Sequence, residues 1–216
     1  YDEVIGVMAV KGQVVGAFTK ADTTVLSAIA DQAAVALENA RLYEMATVDG
    51  LTKLFVRRYF DQRILEEWQR SLRHETCFSV LLLDLDNFKK MNDQYGHQVG
   101  DQVLTMAAGA VRRNMRRMDT AARYGGEEFA CILPGTQAGD ALQVAKRICA
   151  ELASTEITIS ATTLNVTASI GIASSELEEI TEPDKLLGLA DLALYAAKDC
   201  GKNQARLYSK ELNKLA

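Results

Sequence analysis

The apolar and polar positions of this chain change period several times, and each change predicts an element. Val4-Ile5-Gly6-Val7-Met8-Ala9-Val10 is a continuous apolar run that reads as a buried strand, followed by a Lys11-Gly12 turn and a weaker strand through Val14 and Val15. Thr19-Lys20-Ala21-Asp22 has the Thr-x-x-Asp form of a helix start, and no proline or glycine then appears until Gly50. Along the helix this predicts, Leu26, Ile29, Ala33, Ala36, Ala40 and Tyr43 alternate steps of three and four. Such a heptad seam points to a parallel dimer helix, the alternative being a helix packed on the sheet of its own domain. Asp49-Gly50-Leu51-Thr52 ends it, and Phe60, Ile64, Trp68 and Leu72 mark a second amphipathic helix. Phe78 to Leu85 is apolar almost throughout and predicts a central buried strand. A short helical turn after Asn87 should run into a glycine-bounded loop, Gly96 to Gly100, and then into a helix carrying Val103, Leu104, Ala107, Val111 and Met115. Thr120–Tyr124 and Phe129–Leu133 read as short strands with Gly125-Gly126 at the tip of a hairpin, a helix holding Arg147 follows, and Leu164–Ile172 adds a further strand.

Chemistry collects at the strand ends. Glu127 and Glu128 follow the paired glycines, and adjacent carboxylates repel unless something positive sits beside them. A divalent metal with a phosphate ester satisfies that need; an ordinary Gly-Gly turn with solvated acids fits the same residues. Asp84, at the end of the buried strand, requires a partner or a metal, and strand alternation puts Asp84 and Asp86 on one side. Just beyond it lie Lys89, Asn92 and Asp101: a cation for phosphate, and an amide and a carboxylate for the edge of a base. Guanine offers N1–H and N2–H donors that a carboxylate such as Asp101 accepts.

Composition narrows the classes. The chain has 216 residues, long enough for one full domain plus a smaller piece. A net charge of −5 argues against nucleic acid as a partner, so a polyanionic substrate must be met by local cations or metal. Cys77, Cys131, Cys149 and Cys200 lie far apart with no CxxC pair, which predicts reduced thiols in the cytoplasm. No apolar run reaches membrane-spanning length and no signal peptide opens the chain. The opening inside strand-like sequence predicts a fragment of a longer protein.

Asp84-Leu85-Asp86-Asn87-Phe88-Lys89, Asn92-Asp93-Gln94-Tyr95-Gly96-His97, Gly100-Asp101 and Arg123-Tyr124-Gly125-Gly126-Glu127-Glu128-Phe129 resemble, in order, the motifs of a GGDEF domain, the diguanylate cyclase family. Asp49 with Leu51-Thr52, Ala190–Lys198 and Gly201-Lys202-Asn203 support the likeness, which runs over residues 49–208. Residues 1–48 resemble the C-terminal end of a GAF sensory domain with its signalling helix, through Ile5-Gly6-Val7, Phe18-Thr19, Asp22 and Asp31–Ala40. The expected domains are therefore 1–48 and 49–216. The first resemblance implies an α/β (α+β) fold related to the palm of cyclases and polymerases, with a central, mostly antiparallel sheet flanked by helices. It implies condensation of two GTP into cyclic di-GMP and two pyrophosphates across a homodimer, with two magnesium ions, or manganese in their place, at each half-site.

Residue by residue, the resemblance implies that Asp84, Glu127 and the carbonyl of Leu85 hold metal and that Asn92 and Asp101 read guanine. Lys89, Lys198 and Lys202 would meet the triphosphate, Gly125 and Gly126 would let backbone approach it, and Glu127 or Glu128 would assist deprotonation of the 3′-hydroxyl. Arg116 and Asp119 match the family's RxxD product site, with Arg147 as a second arginine; a basic helix terminus is the plainer alternative. Lys53 and Val56 stand where the family commonly has glycine and asparagine, and Lys202 where it has arginine. His97 is expected to make a structural hydrogen bond. The competing function is a catalytically idle GGDEF domain that binds GTP or cyclic di-GMP.

Overall fold

The computed structural model describes residues 6–13, 15–159, 162–177 and 180–214. The chain divides into two compact units, Tyr1–Thr47 and Val48–Ala216. The first is built on helix α1 (Lys20–Thr47). Its start forms as the Thr-x-x-Asp pattern predicts: Thr19 N–H donates to Asp22 Oδ2 at 2.7 Å, and Asp22 N–H donates back to Thr19 Oγ1 at 3.3 Å. The expected strands fare differently. Val4, Ile5 and Val14 lie outside the described residues, and residues 6–13 and 15–18 form no strand. An extended run becomes a strand only beside another, and the described part of this unit supplies none. Of the seam, Leu26 and Ala33 are half-buried, whereas Ile29, Ala36, Ala40 and Tyr43 are exposed. No residue of α1 is fully buried.

The second unit is a six-stranded sheet with helices on both faces. Its strands are β1 (Phe55–Val56), β2 (Phe78–Leu85), β3 (Thr120–Arg123), β4 (Glu128–Pro134), β7 (Ala168–Ser174) and β8 (Ala205–Leu207), in the order β1-β3-β4-β2-β7-β8. Pairing is antiparallel through the centre and parallel only at the two edges, β1–β3 and β7–β8. Strands β5 (Glu156–Ile159) and β6 (Thr162–Asn165) form a separate hairpin. The helices are α2 (Arg57–His74), α3 (Phe88–Tyr95), α4 (His97–Arg113), α5 (Ala138–Ser154) and α6 (Pro183–Asp199), with a short 3-10 helix at Lys210–Lys214.

Every residue of β2 is buried, because alternate side chains enter two different cores. Leu81, Leu83 and Leu85 pack with Val103, Leu104 and Val111 of α4 and with Ile148 and Leu152 of α5. Phe78, Val80 and Leu82 pack on the other side with Phe60 and Ile64 of α2 and Ala190 and Ala193 of α6. Sheet and α6 come close enough that a Cβ on Gly171 of β7 would overlap the backbone at Ala190 O and Leu194 N.

Several local expectations are corrected. Leu72 is 65% exposed, while Glu67 and Ser71 are buried; steps of four drift 40° each around a helix of 3.6 residues per turn, so the stripe rotates off the core. The loop expected from Gly96 to Gly100 shrinks to Gly96 alone, at φ 85°, and His97–Gly100 is already the first turn of α4. Met115 lies past the end of that helix. The run Leu164–Ile172 is split between β6 and β7, which belong to different sheets. Among the described residues no helix is long and apolar enough to cross a membrane.

Candidate active site

The hairpin β3–β4 forms as expected and its tip is tied down on both sides. Tyr124 and Gly125 N–H both donate to Glu128 O, at 2.8 and 3.2 Å. The Arg123 guanidinium reaches over the turn and donates to Gly126 O at 2.8 and 3.2 Å. Neither tip glycine has the positive φ that the paired-glycine pattern suggests. A Cβ on Gly125 would meet only the Glu128 carboxylate, the end of an exposed side chain that can swing aside, whereas Gly126 faces open space in which a ligand can lie against bare backbone.

Asp84, the last residue but one of β2, lies directly opposite Glu128, and Leu85 N–H donates to Glu127 O at 3.3 Å. The carboxyl of Glu127 is held above the usual glutamate range by burial and then by the Asp84 charge, with the Lys198 ammonium acting in the opposite direction. Lys198, near the end of α6, lies 2.9 Å from Asp84 Oδ2. The structure therefore brings Asp84, Glu127 and Lys198 together, with Lys198 on a carboxylate rather than out in solvent. Among the described residues no three His, Cys, Asp or Glu side chains form a ready-made metal cage. Paired carboxylates without a third fit magnesium well, since it keeps few protein ligands and fills its octahedron with substrate phosphate and water.

Asn92 of α3 lies against Gly100 of α4, where any Cβ would overlap its amide oxygen; that oxygen is buried with no hydrogen-bond partner. Asp101 follows Gly100 and is exposed beside an open cleft of about 550 Å³ shared with Leu51, Thr105 and Met106. Lys89 is exposed on α3. His97 is also exposed and its side chain makes no hydrogen bond to the described residues, so the structural role expected for it is not seen.

Asp86 belongs to a different arrangement from Asp84. Its carboxylate accepts from Ser169 Oγ and Thr167 Oγ1, both at 2.7 Å, and from Asn203 N–H at 2.9 Å. It thereby pins the loop after α6, where Gly201, Lys202 and Asn203 all have positive φ. In that loop Lys202 Nζ donates to Asn87 Oδ1 at 2.6 Å, beside the strand end. Sequence alternation placed Asp86 near Asp84 but carried no sign of Thr167, Ser169 or Asn203 as its partners.

Arg116 and Asp119 share one tight turn after α4: Arg116 N–H donates to Asp119 Oδ2 at 2.7 Å, and Asp119 N–H to Arg116 O at 3.1 Å. Burial raises the Asp119 carboxyl against the opposing pull of Arg116, and its Oδ1 is buried without a partner. Arg147 donates to Asn114 Oδ1 at 3.4 Å, two residues before Arg116 in the chain.

Asp49 joins the entry turn to the hairpin. Its Oδ1 accepts from Thr52 N–H and Oγ1 at 2.8 and 2.7 Å, and its Oδ2 lies 3.5 Å from Arg123 Nη1. Burial pushes its pKa up, but the Thr52 bonds and the Arg123 charge outweigh that, leaving it below the usual aspartate value. A depressed folded-state pKa stabilises above the unfolded-state value, about 3.9, and that gain is lost as pH falls through the folded value. Asp49→Asn is expected to cost about 1 kcal/mol at neutral pH. In urea melts across pH its deficit should shrink below about pH 4; a deficit constant with pH would remove the ionised Asp49 from the account.

A mixed palm-like sheet with paired carboxylates at a hairpin tip and lysines at the neighbouring strand end defines a nucleotide-handling domain. The family model described as "Diguanylate cyclase, GGDEF domain" matches residues 46–204, and the chain belongs to that family. Diguanylate cyclase A of Treponema denticola is 37% identical over 200 residues, covering 91% of this chain and 54% of that protein. The response regulator PleD of Caulobacter vibrioides is 41% identical over 162 residues, 74% of this chain and 36% of PleD. This chain thus spans about half the length, or less, of these curated relatives. Among solved structures, the coiled coil and GGDEF domain of DgcB from Caulobacter crescentus in complex with c-di-GMP superposes with a TM-score of 0.80 at 29% identity, covering 88% of this chain and 100% of that one.

Proposed function

We propose that this chain is a diguanylate cyclase that condenses two GTP into cyclic di-GMP and two pyrophosphates in the cytoplasm, one GTP being held by each subunit of a homodimer. The observation that carries the reading is the convergence of Asp84, Glu127 and Lys198 beside the open face of Gly126. Asn92 and Asp101 receive the guanine, the unpartnered Asn92 oxygen and the Asp101 carboxylate accepting from its N–H edge. Lys89, Lys198 and Lys202 meet the triphosphate, and Gly125-Gly126 lets it lie along backbone. Asp84, Glu127 and the Leu85 carbonyl would hold magnesium, two ions per half-site, which when bound polarise the α-phosphate and lower the pKa of the attacking 3′-hydroxyl. Glu127, with its raised pKa, is the better placed of the two glutamates to take that proton, Glu128 being exposed.

Dimerisation is assigned to α1. It buries no residue of its own and exposes Ile29 and Tyr43 of the seam, and the DgcB structure pairs a GGDEF domain with a coiled coil. Residues 1–48 are read as the end of a GAF domain with its signalling helix. Product feedback is assigned to Arg116, Asp119 and Arg147. Arg116→Ala should raise the concentration of added cyclic di-GMP needed for half-inhibition about tenfold or more; an unchanged inhibition curve would sink the assignment.

The primary test is incubation with GTP and magnesium followed by chromatography of the products, with no cyclic di-GMP at high protein concentration as the negative result. A receptor without turnover is the second reading, favoured by one observation: the Lys198 ammonium already neutralises Asp84. That reading expects nucleotide binding but no product in the same assay.

A further inference from the structure

Beside the Asp49–Leu54 turn lies a cavity of about 330 Å³ lined by Lys53, Arg112, Arg116, Arg117 and Asp119, together with apolar groups that include Met115 and Ala121. Its charge is unbalanced. No ion pair among the described residues involves Lys53, Arg112, Arg116 or Arg117. The lone carboxylate among those five residues uses Oδ2 for the Arg116 amide and leaves Oδ1 buried without a partner. Such a cavity suits a ligand that carries both a phosphate anion and an N–H donor edge.

Lys53 is the unexpected member. Its backbone sits at φ 58°, where glycine is accommodated freely and a residue with a Cβ is disfavoured by roughly 1 kcal/mol. The turn is held in that shape by Lys53 N–H donating to Asp49 O at 3.0 Å and Asp49 N–H donating to Leu54 O at 2.8 Å. Glycine would make the same turn more easily. What lysine adds is an exposed, flexible ammonium beside a cavity already rich in guanidinium groups, engaged in no ion pair among the described residues and so available to an incoming anion.

We propose that Lys53 is a contact residue of the product pocket, its ammonium donating to a phosphodiester oxygen of bound cyclic di-GMP while Asp119 Oδ1 accepts from a guanine edge. The inference rests on the product-site reading of Arg116 and Asp119, and extends that site from the α4 turn to the Asp49–Leu54 turn. Specificity follows from the division of labour: the cations select for phosphate, and the buried acceptor selects for a base that presents N–H groups.

The test is calorimetric titration of the full chain with cyclic di-GMP in metal-free buffer, which needs no turnover. Lys53→Gly should weaken binding on the order of tenfold and flatten the salt dependence of Kd, while Lys53→Arg should bind within about threefold of wild type. Lys53→Gly should also melt near wild type, because it removes a Cβ from a left-handed position. Arg116→Ala separates the two levels of the argument. If it loses binding while Lys53→Gly binds as wild type, the Lys53 contact is wrong and the product site stands. If Arg116→Ala itself binds as wild type, the product-site reading fails and the Lys53 contact with it.

Discussion

Glu127→Gln is expected to lower the rate of cyclic di-GMP formation by on the order of 10³-fold, equivalent to about 4 kcal/mol of transition-state stabilisation. Glutamine keeps the size of the side chain and removes its charge, so on the roles proposed for Glu127 the loss falls on metal retention and on proton removal from the 3′-hydroxyl. Stability should move the other way or not at all. The ionised form of Glu127 is disfavoured by burial and by Asp84, and a neutral side chain relieves both. A thermal melt at or above the wild-type midpoint, together with lost turnover, is the expected pair of results. Turnover within tenfold of wild type would overturn the assignment of Glu127 to metal, whatever the melt shows.

Gly171→Ala is expected to destabilise the fold strongly for a single added methyl group. The added Cβ would collide with Ala190 O and Leu194 N and lie 2.8 Å from Leu194 Cα, all backbone atoms of α6 that no rotamer change can move. Overpacking in a well-filled core costs about 1–3 kcal/mol, and a collision with helix backbone belongs at or beyond the upper end. Urea denaturation checks it, with Gly126→Ala as the internal comparison, because a Cβ on Gly126 meets nothing within 4 Å. Equal midpoints for the two variants would mean that α6 yields without strain. The consequence reaches the site, since α6 also carries Lys198, and a shift of the helix pulls its ammonium away from Asp84.

What the sequence made legible follows from how local each signal is. Phe78–Leu85 stands out because a central strand buried on both faces must be apolar almost throughout, and it forms β2 over the same residues. The β3–β4 hairpin and the start of α1 were legible for a similar reason: their determinants lie within a few residues of one another. Errors arose where the decisive partner is distant. Leu164–Ile172 looks like one strand, yet β6 pairs with β5 and β7 with β2, which local pattern does not encode. The paired glycines suggest positive φ, yet neither Gly125 nor Gly126 adopts it, the turn being closed by N–H groups donating to Glu128 O and by the Arg123 guanidinium on Gly126 O.

The site divides along the same line. Asp84, Glu127, Asn92 and Asp101 are candidates from strand-end chemistry and motif resemblance alone. That Lys198 would sit on Asp84, that Asp86 would hold the loop after α6, and that Lys53 would line the Arg116 cavity depended on contacts between segments remote in sequence.

The clamp at Asp86 sets an order of events in synthesis. Asp86 meets Asn203 across 117 positions, and Lys202 meets Asn87 across 115. Strand β2 and its neighbours β3 and β4 emerge from the ribosome long before either contact exists. A nascent chain stopped short of Lys198 therefore lacks the ammonium that faces Asp84 and both ties between the end of β2 and the loop after α6. Contacts of such separation form late because loop closure must precede them. The end of β2 is braced only when the last part of the domain folds back onto it, so a chain that stops before Gly201 leaves Asp86 without its Asn203 partner and Asn87 without Lys202.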